Sequence, residues 1–381
     1  MRENTRATLA LLFAGVSSTL VLVSMPVFVG AMASTFGWGE REVGWLASAD
    51  MTGSALASLC TIPLIGRMRW RTAGALAVAV MVAGNVLSTF ATTFPALLGA
   101  RALAGAGAGI MLSITYVGLC RSENPDRYFG LYVFIQLGLQ VLALSGFPPL
   151  LQAYGLNAIF LLLAGVAAAL IVLVPLFPRT LPPNIAAGAA DAEPSPTASR
   201  ARLSFGAMVA LFAQALYFLA PGATWAYLER IGQTFSLSLS QIGLALGAST
   251  FAGIAGALLV VLLGARAPRV ASMLIGTILS IASVSLLMEG SGLAQFFIAA
   301  ALFNFAWNAT FPYQMGVLAS LDRTGAVAIL SLLTQLGGLA GGPLLASMLH
   351  PERGYGTILW ACIGCYVVSL GLFRASARTH E

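Results

Sequence analysis

Charge is what this chain has least of. Only 8% of its 381 residues are charged, against 59% hydrophobic, and mean hydropathy is +0.90. A soluble globule of this size needs far more polar surface, so that class is excluded. Lysine is absent, and all 19 basic residues are Arg. Histidine occurs twice and cysteine four times. His350 and His380 fall in a loop and the tail, so they suggest no metal cluster. Cys362-x-x-Cys365 lies inside an apolar run, and one such pair cannot complete a zinc site. No nucleophile–base constellation and no P-loop ending appear. The expectation is therefore no enzyme, no cofactor, no metal and no ATP-driven step.

What is present is a series of apolar runs, each near the ~20 residues that cross a bilayer as a helix. Twelve spans are expected. Six lie near 8–33, 43–65, 72–92, 95–120, 129–151 and 157–178. Six more lie near 205–228, 240–264, 270–288, 292–318, 326–349 and 355–375. The segment 179–203, rich in Pro, Ala and small polar residues, reads as a flexible cytoplasmic linker. The domains expected are therefore 1–178 and 204–381, each a six-helix bundle. Ala31-Met32-Ala33 mimics a signal cleavage site, but the run before it is too long for a signal core. Residues 8–33 are read as a retained first helix.

Arginine sets the orientation. With the N-terminus inside, fifteen Arg fall on the cytoplasmic side, Arg41, Arg230 and Arg353 fall outside, and Arg101 lies within a span. The positive-inside rule then puts both termini and the linker in the cytoplasm of a cell that carries this chain in its inner membrane. The net charge of +6 follows from that topology and does not point to nucleic acid. No assembly surface is legible, and a monomer is expected.

The halves repeat each other. Thr35-Phe36, Gly44, Ala49 and Arg67 match Thr234-Phe235, Gly243, Ala248 and Arg266 at an offset of 199. Asp126-Arg127 matches Asp322-Arg323 at 196, and Gln140, Gly146 and Pro148 match Gln335, Gly341 and Pro343 at 195. Six helices return the chain to its starting side, so the repeats are parallel.

Within the fourth span stands Arg101-x-x-x-Gly105-x-Gly107, with Gly109 after it. Between the second and third spans stands Gly66-Arg67-Met68-Arg69-Trp70-Arg71. With the parallel repeats, these features resemble the major facilitator superfamily along nearly the whole chain. The basic loop departs from the family pattern, since Gly66 stands where an acid is expected and Arg69 where a glycine is. The drug-antiporter Gly-Pro motif is also missing from the fifth span, which has Gly146-Phe147-Pro148-Pro149. The resemblance implies an all-α membrane protein of twelve helices in two parallel six-helix repeats.

Two ionisable residues lie well inside spans, Asp50 in the second and Arg101 in the fourth. Each costs about 2.5–3.5 kcal/mol at the bilayer centre on insertion scales. Both fall at similar depth, where they can pair. Two readings stay open: Asp50 loads a proton while Arg101 responds or holds an anion, or the two form a fixed staple. Uncharged polar stripes supply the other candidates. They are Gln136 and Gln140 in the fifth span, Gln214 and Tyr217 in the seventh, Asn304, Trp307 and Asn308 in the tenth, and Gln335 in the eleventh. Amide and aromatic groups at mid-membrane would bind and stack on a small-molecule substrate. The alternative for each is hydrogen bonding between helices.

The function expected is secondary active transport of a small organic solute by alternating access, proton-coupled, with carboxylates among the candidates. An exporter of drugs or amphipathic metabolites is the first rival. A uniporter and a receptor that binds without flux are the others.

Overall fold

The structure, a computed structural model, describes residues 2–61, 64, 68–120, 125–178, 205–263, 268–288, 290–321, 326–349 and 354–378. The linker 179–203, loop residues Gly66 and Arg67, Arg266, Asp322-Arg323, His350 and His380 lie outside the described residues. Among those described, every element is helical. Helix α1 comprises Arg2–Ser18 and Leu20–Phe36; then follow α2 (Glu40–Thr61), α3 (Trp70–Phe90), α4 (Phe94–Cys120), α5 (Pro125–Tyr154) and α6 (Leu156–Ala169). The second set is α7 (Phe205–Thr234), α8 (Leu239–Leu263), α9 (Arg269–Leu286), α10 (Leu293–Leu321), α11 (Ala326–Leu349) and α12 (Tyr355–Arg378). Nine of the helical spans among the described residues are long and apolar enough to cross a membrane by length and composition alone.

Three boundaries differ from the sequence expectation, each for a local reason. Helix α1 breaks at Thr19. The Thr19 N–H bonds Val16 O at 3.0 Å and its hydroxyl donates to the same carbonyl at 2.7 Å. Ser18 Oγ donates to Ala14 O at 2.8 Å, so both side chains compete with the helical ladder. Helix α6 tightens into 3₁₀ turns over Leu170–Val172 and Val174–Leu176, where Pro175 removes a helical donor. Helix α7 runs on past 228 to Thr234 and carries Glu229 inside with it.

The repeat organises the packing. In the first set α2 and α3 pack on α4 and α3 on α6; in the second α8 and α9 pack on α10 and α9 on α12. The sets meet at three seams, α2 on α11, α5 on α8, and α1 on α7. Glycine permits the first two. A Cβ on Gly44 would strike Ser347, Pro343 O and the Tyr227 hydroxyl, and one on Gly243 would strike Leu144 O and Pro148. Gly44 with Gly243, and Pro148 with Pro343, are equivalent positions of the repeat. The two seams are thus one contact made twice.

Twelve crossings return the chain to the face on which it began. The opposite, distal face carries the Phe36 end of α1 and the Thr234 end of α7. Side-chain hydrogen bonds join the two sets, among them Trp225 to Leu22, Ser48 to Ala340, Gln140 to Thr250 and Asn304, and Gln152 to Ser240. These bonds lie at mid-helix or nearer the distal face, where they fasten the two sets together as a distal seal.

Candidate functional site

Helices α2 and α4 approach closely because α4 is lined with small residues. A Cβ on Gly105 would collide with the Asp50 backbone, and one on Gly109 with the Ser54 backbone. One turn before Gly105, Arg101 meets Asp50 in a two-pronged ion pair. Nη2 lies 2.6 Å from Oδ1 and Nε 3.0 Å from Oδ2. Nη1 donates to Asn85 Oδ1 at 2.8 Å and to Ser88 Oγ at 3.4 Å, both on α3. The guanidinium carbon stands 5.0 Å from the Phe28 ring centre and 5.9 Å from that of Phe160. The Arg101 side chain is 0% exposed and that of Asp50 5%. A guanidinium has five N–H donors; these hydrogen bonds and two aromatic rings already engage most of this one.

The second set builds a wall without charge. Asn304 donates to Ser249 Oγ at 3.0 Å, and Gln140 from the first set donates to Asn304 Oδ1 at 3.2 Å and Thr250 Oγ1 at 3.1 Å. Asn308 turns back to the Asn304 carbonyl at 2.9 Å. Half-buried Trp307 meets Phe303 edge-on at 5.5 Å and Trp225 at 6.4 Å. Trp225 stacks flat on Phe303, 6.0 Å between centres and 5° between planes. Its indole N–H donates to Leu22 O at 2.9 Å across the seam. Pro26, four residues after Leu22, has no N–H to offer that carbonyl. The bond from α7 therefore satisfies an acceptor that α1 cannot.

The sequence-predicted residues fall into separate groups. Asp50 and Arg101 are together. Gln140, Asn304, Asn308 and Trp307 form the uncharged wall. Gln214 lies apart, fully buried, with its Oε1 accepting from Ser331 and Thr334, each at 2.8 Å. Tyr217 is 2% exposed and packed against Phe218 and Tyr366, which makes it a wall support and not an open surface. Gln136 and Gln335 are half-buried and stand outside both networks.

Sequence reasoning missed Glu229. It is 1% exposed on α7, takes a hydrogen bond from Gln233, and presses so closely on α1 that only Gly30 leaves it room. The signal was the span boundary: ending the seventh span at 228 left this carboxyl in a loop.

No curated protein matches the chain. Among solved structures, the fold is similar to a single-substitution mutant of the nucleoside transporter NupG, with TM-score 0.72, 15% identity, and 97% of this chain and 99% of that one covered. It is similar to a D-xylose–proton symporter, with TM-score 0.76, 14% identity, and 97% and 96% covered. It is also similar to a bacterial homologue of the human lysosomal transporter Spinster, inward-facing and unoccupied, with TM-score 0.63, 15% identity, and 99% and 96% covered. The family model for the Major Facilitator Superfamily matches residues 7–228, more than half of the sequence. With its helical repeats and its buried Arg101, the chain belongs to the major facilitator superfamily and is a multi-pass membrane transporter, not an enzyme.

Proposed function

We propose that the chain carries a small, neutral, hydrogen-bonding solute across the inner membrane by alternating access, driven by a proton gradient. The observation that carries this reading is the division of labour between the two polar groups. The wall offering amides and indole, Gln140, Asn304, Asn308 and Trp307, has no charged member. The buried cation, Arg101, is held by Asp50, Asn85 and Ser88 and by two aromatic rings. A substrate carboxylate would have to displace Asp50 from its bidentate partner. A neutral solute with hydroxyl or amide groups and a flat face needs only the wall. The similar structures named for a nucleoside and for D-xylose carry solutes of that chemistry.

Under this reading Asp50 loads the proton. Protonation cancels the attraction that ties Asp50 of α2 to Arg101 of α4, and the distal seal is the state in which the substrate wall faces the cytoplasm. The two six-helix sets, 1–178 and 204–381, rock as units about the seams, with the termini in the cytoplasm, and the carrier works as a monomer.

The test is uptake into proteoliposomes of a nucleoside, D-xylose and a small carboxylate under an imposed proton gradient. Accumulation of a neutral solute that collapses with a protonophore is the expected result. Accumulation of the carboxylate alone overturns the substrate class. An Asp50→Asn protein should still exchange labelled solute but lose gradient-driven accumulation; unchanged accumulation removes Asp50 from the coupling. The aromatic cluster of Phe218, Trp225, Phe303, Trp307 and Phe311 favours one second reading, export of an amphipathic metabolite, which predicts movement toward the distal side only.

A further inference from the structure

Beside the ion pair lies a cavity of about 40 Å³, lined mainly by α1, α2, α3, α4 and α6. One water needs roughly 10–15 Å³ of such space, so the cavity has room for about three. Much of the lining is apolar, but the polar groups in it have hydrogen-bonding capacity to spare. Ser54 Oγ is buried in a residue 2% exposed and has no hydrogen-bond partner. Each Asp50 oxygen takes one bond from Arg101, and a carboxylate can accept about four. The break in α1 brings Ser17, Ser18 and Thr19 to the same cavity. A buried hydroxyl left dry is costly, and water is the common remedy.

A single lining residue comes from the second set of helices. Leu336 lies on α11, the helix of that set that packs on α2. Its neighbour in sequence, Gln335, was predicted to face the substrate. Leu336 is therefore the lining side chain through which the second set touches this space. Asp50 and Arg101 are the titratable groups among the lining residues.

We infer that this cavity is a water site that relays protons to Asp50 through Ser54, and that Leu336 is its lid, uncovered when α11 slides against α2. The inference rests on the reading of Asp50 as the proton-loading group. It gives the coupling a physical form: movement of the second set of helices, which carries most of the substrate wall, decides when the water at Asp50 joins the solvent between the two sets.

Two measurements test it, and neither needs the substrate. The first is thermal unfolding of purified Ser54→Ala. If water bonds Ser54, the variant loses a satisfied hydroxyl and its Tm falls. If the cavity is dry, it sheds an unsatisfied polar group and its Tm rises, which overturns the water site. The second is proton entry into proteoliposomes under an imposed membrane potential, read with an internal pH dye and no solute present. Leu336→Ala should leak several-fold faster than wild type, because the water at Asp50 then stays connected to solvent in every conformation. Leu336→Met, which keeps the volume, should not leak. The leak should vanish when Asp50→Asn is added. No leak from a Leu336→Ala protein that unfolds with the wild-type Tm overturns the lid, as does a leak that survives Asp50→Asn. Failure of the underlying reading shows separately, as unchanged gradient-driven accumulation by Asp50→Asn with Leu336 intact.

Discussion

The repeat sets one contact in two chemistries. Asp50 on α2 reaches across to Arg101 on α4 in the first set of helices. In the second set the position equivalent to Asp50, at the offset of 199, is Ser249 on α8, and it reaches across to Asn304 on α10. One pair is ionic and sealed; the other is neutral and continues through Gln140 into the seam between the sets. Both hold the same two helices of the repeat together. The difference shows that the packing role does not require charge, since the second set does without it. Charge in the first set needs another reason, and proton coupling is the reason we propose.

The largest effect should come from removing one member of the ionic pair. Arg101→Ala leaves the Asp50 carboxylate buried without its cation, which should cost about 3–5 kcal/mol and appear as a large fall in Tm or loss of the folded protein. Replacing both members, as Asp50→Leu with Arg101→Met, should recover most of that stability but none of the gradient-driven transport, because a buried pair is close to neutral against an apolar isostere. If the double variant pumps, the charge was a staple after all.

Backbone approach comes next in size. Gly105→Val drives a branched side chain into the Asp50 backbone, where a Cβ alone already collides. Overpacking of this kind costs about 1–3 kcal/mol, and it should separate Arg101 from Asp50 as well. Gly138 on α5 has open space around its would-be Cβ, so Gly138→Ala should leave Tm unchanged or slightly higher. Equal losses at the two positions would mean that α4's glycines serve flexibility in place of contact.

Much of this was legible in the sequence, and the illegible part has a common cause. Twelve spans, the parallel repeat and the Asp50–Arg101 pair follow from composition, spacing and depth, because burying charge in lipid is expensive enough to force a partner. The Gly44–Pro343 and Gly243–Pro148 contacts were visible as repeat matches, but not as touching pairs, since an offset says which positions correspond and not which meet. Glu229 was lost to a boundary set at 228, well inside the helix end at Thr234. The break at Thr19 was hidden because hydroxyls that bend a helix look, in sequence, like any polar stripe. Gln214 was read as a substrate group, and only the structure shows its carbonyl taken up by Ser331 and Thr334.

The neutral member of the comparison should be cheaper to break. Asn304→Ala removes a donor to Ser249 and an acceptor for Gln140, leaving buried polar groups unpaired at about 1–3 kcal/mol. The fall in Tm should be well below that of Arg101→Ala, while solute affinity falls with it. A loss of stability as large as that of Arg101→Ala would show that the two contacts are equivalent and that charge adds nothing to the first.

The smallest effect separates bonds within a set from bonds between sets. The Trp225 indole is tied to Leu22 O because Pro26 leaves that carbonyl without a helical donor. Trp225→Phe keeps a ring against Phe303 but drops the N–H, and should cost about 0.5–1.5 kcal/mol. Pro26→Ala supplies the missing N–H, so in its background Trp225→Phe should cost less, and the cycle should show coupling where distant sites would add. Because the bond crosses the seam, its loss should also loosen the distal seal. Amide exchange in the distal turns of α1 and α7 should quicken in Trp225→Phe while that of α2 and α4 stays as in wild type. Arg101→Met with Asp50→Leu should do the reverse, disturbing α2 and α4 and leaving the seal intact. Exchange that quickens everywhere in both proteins would mean that the bundle opens as one cooperative body and that the two classes of bond are not separable.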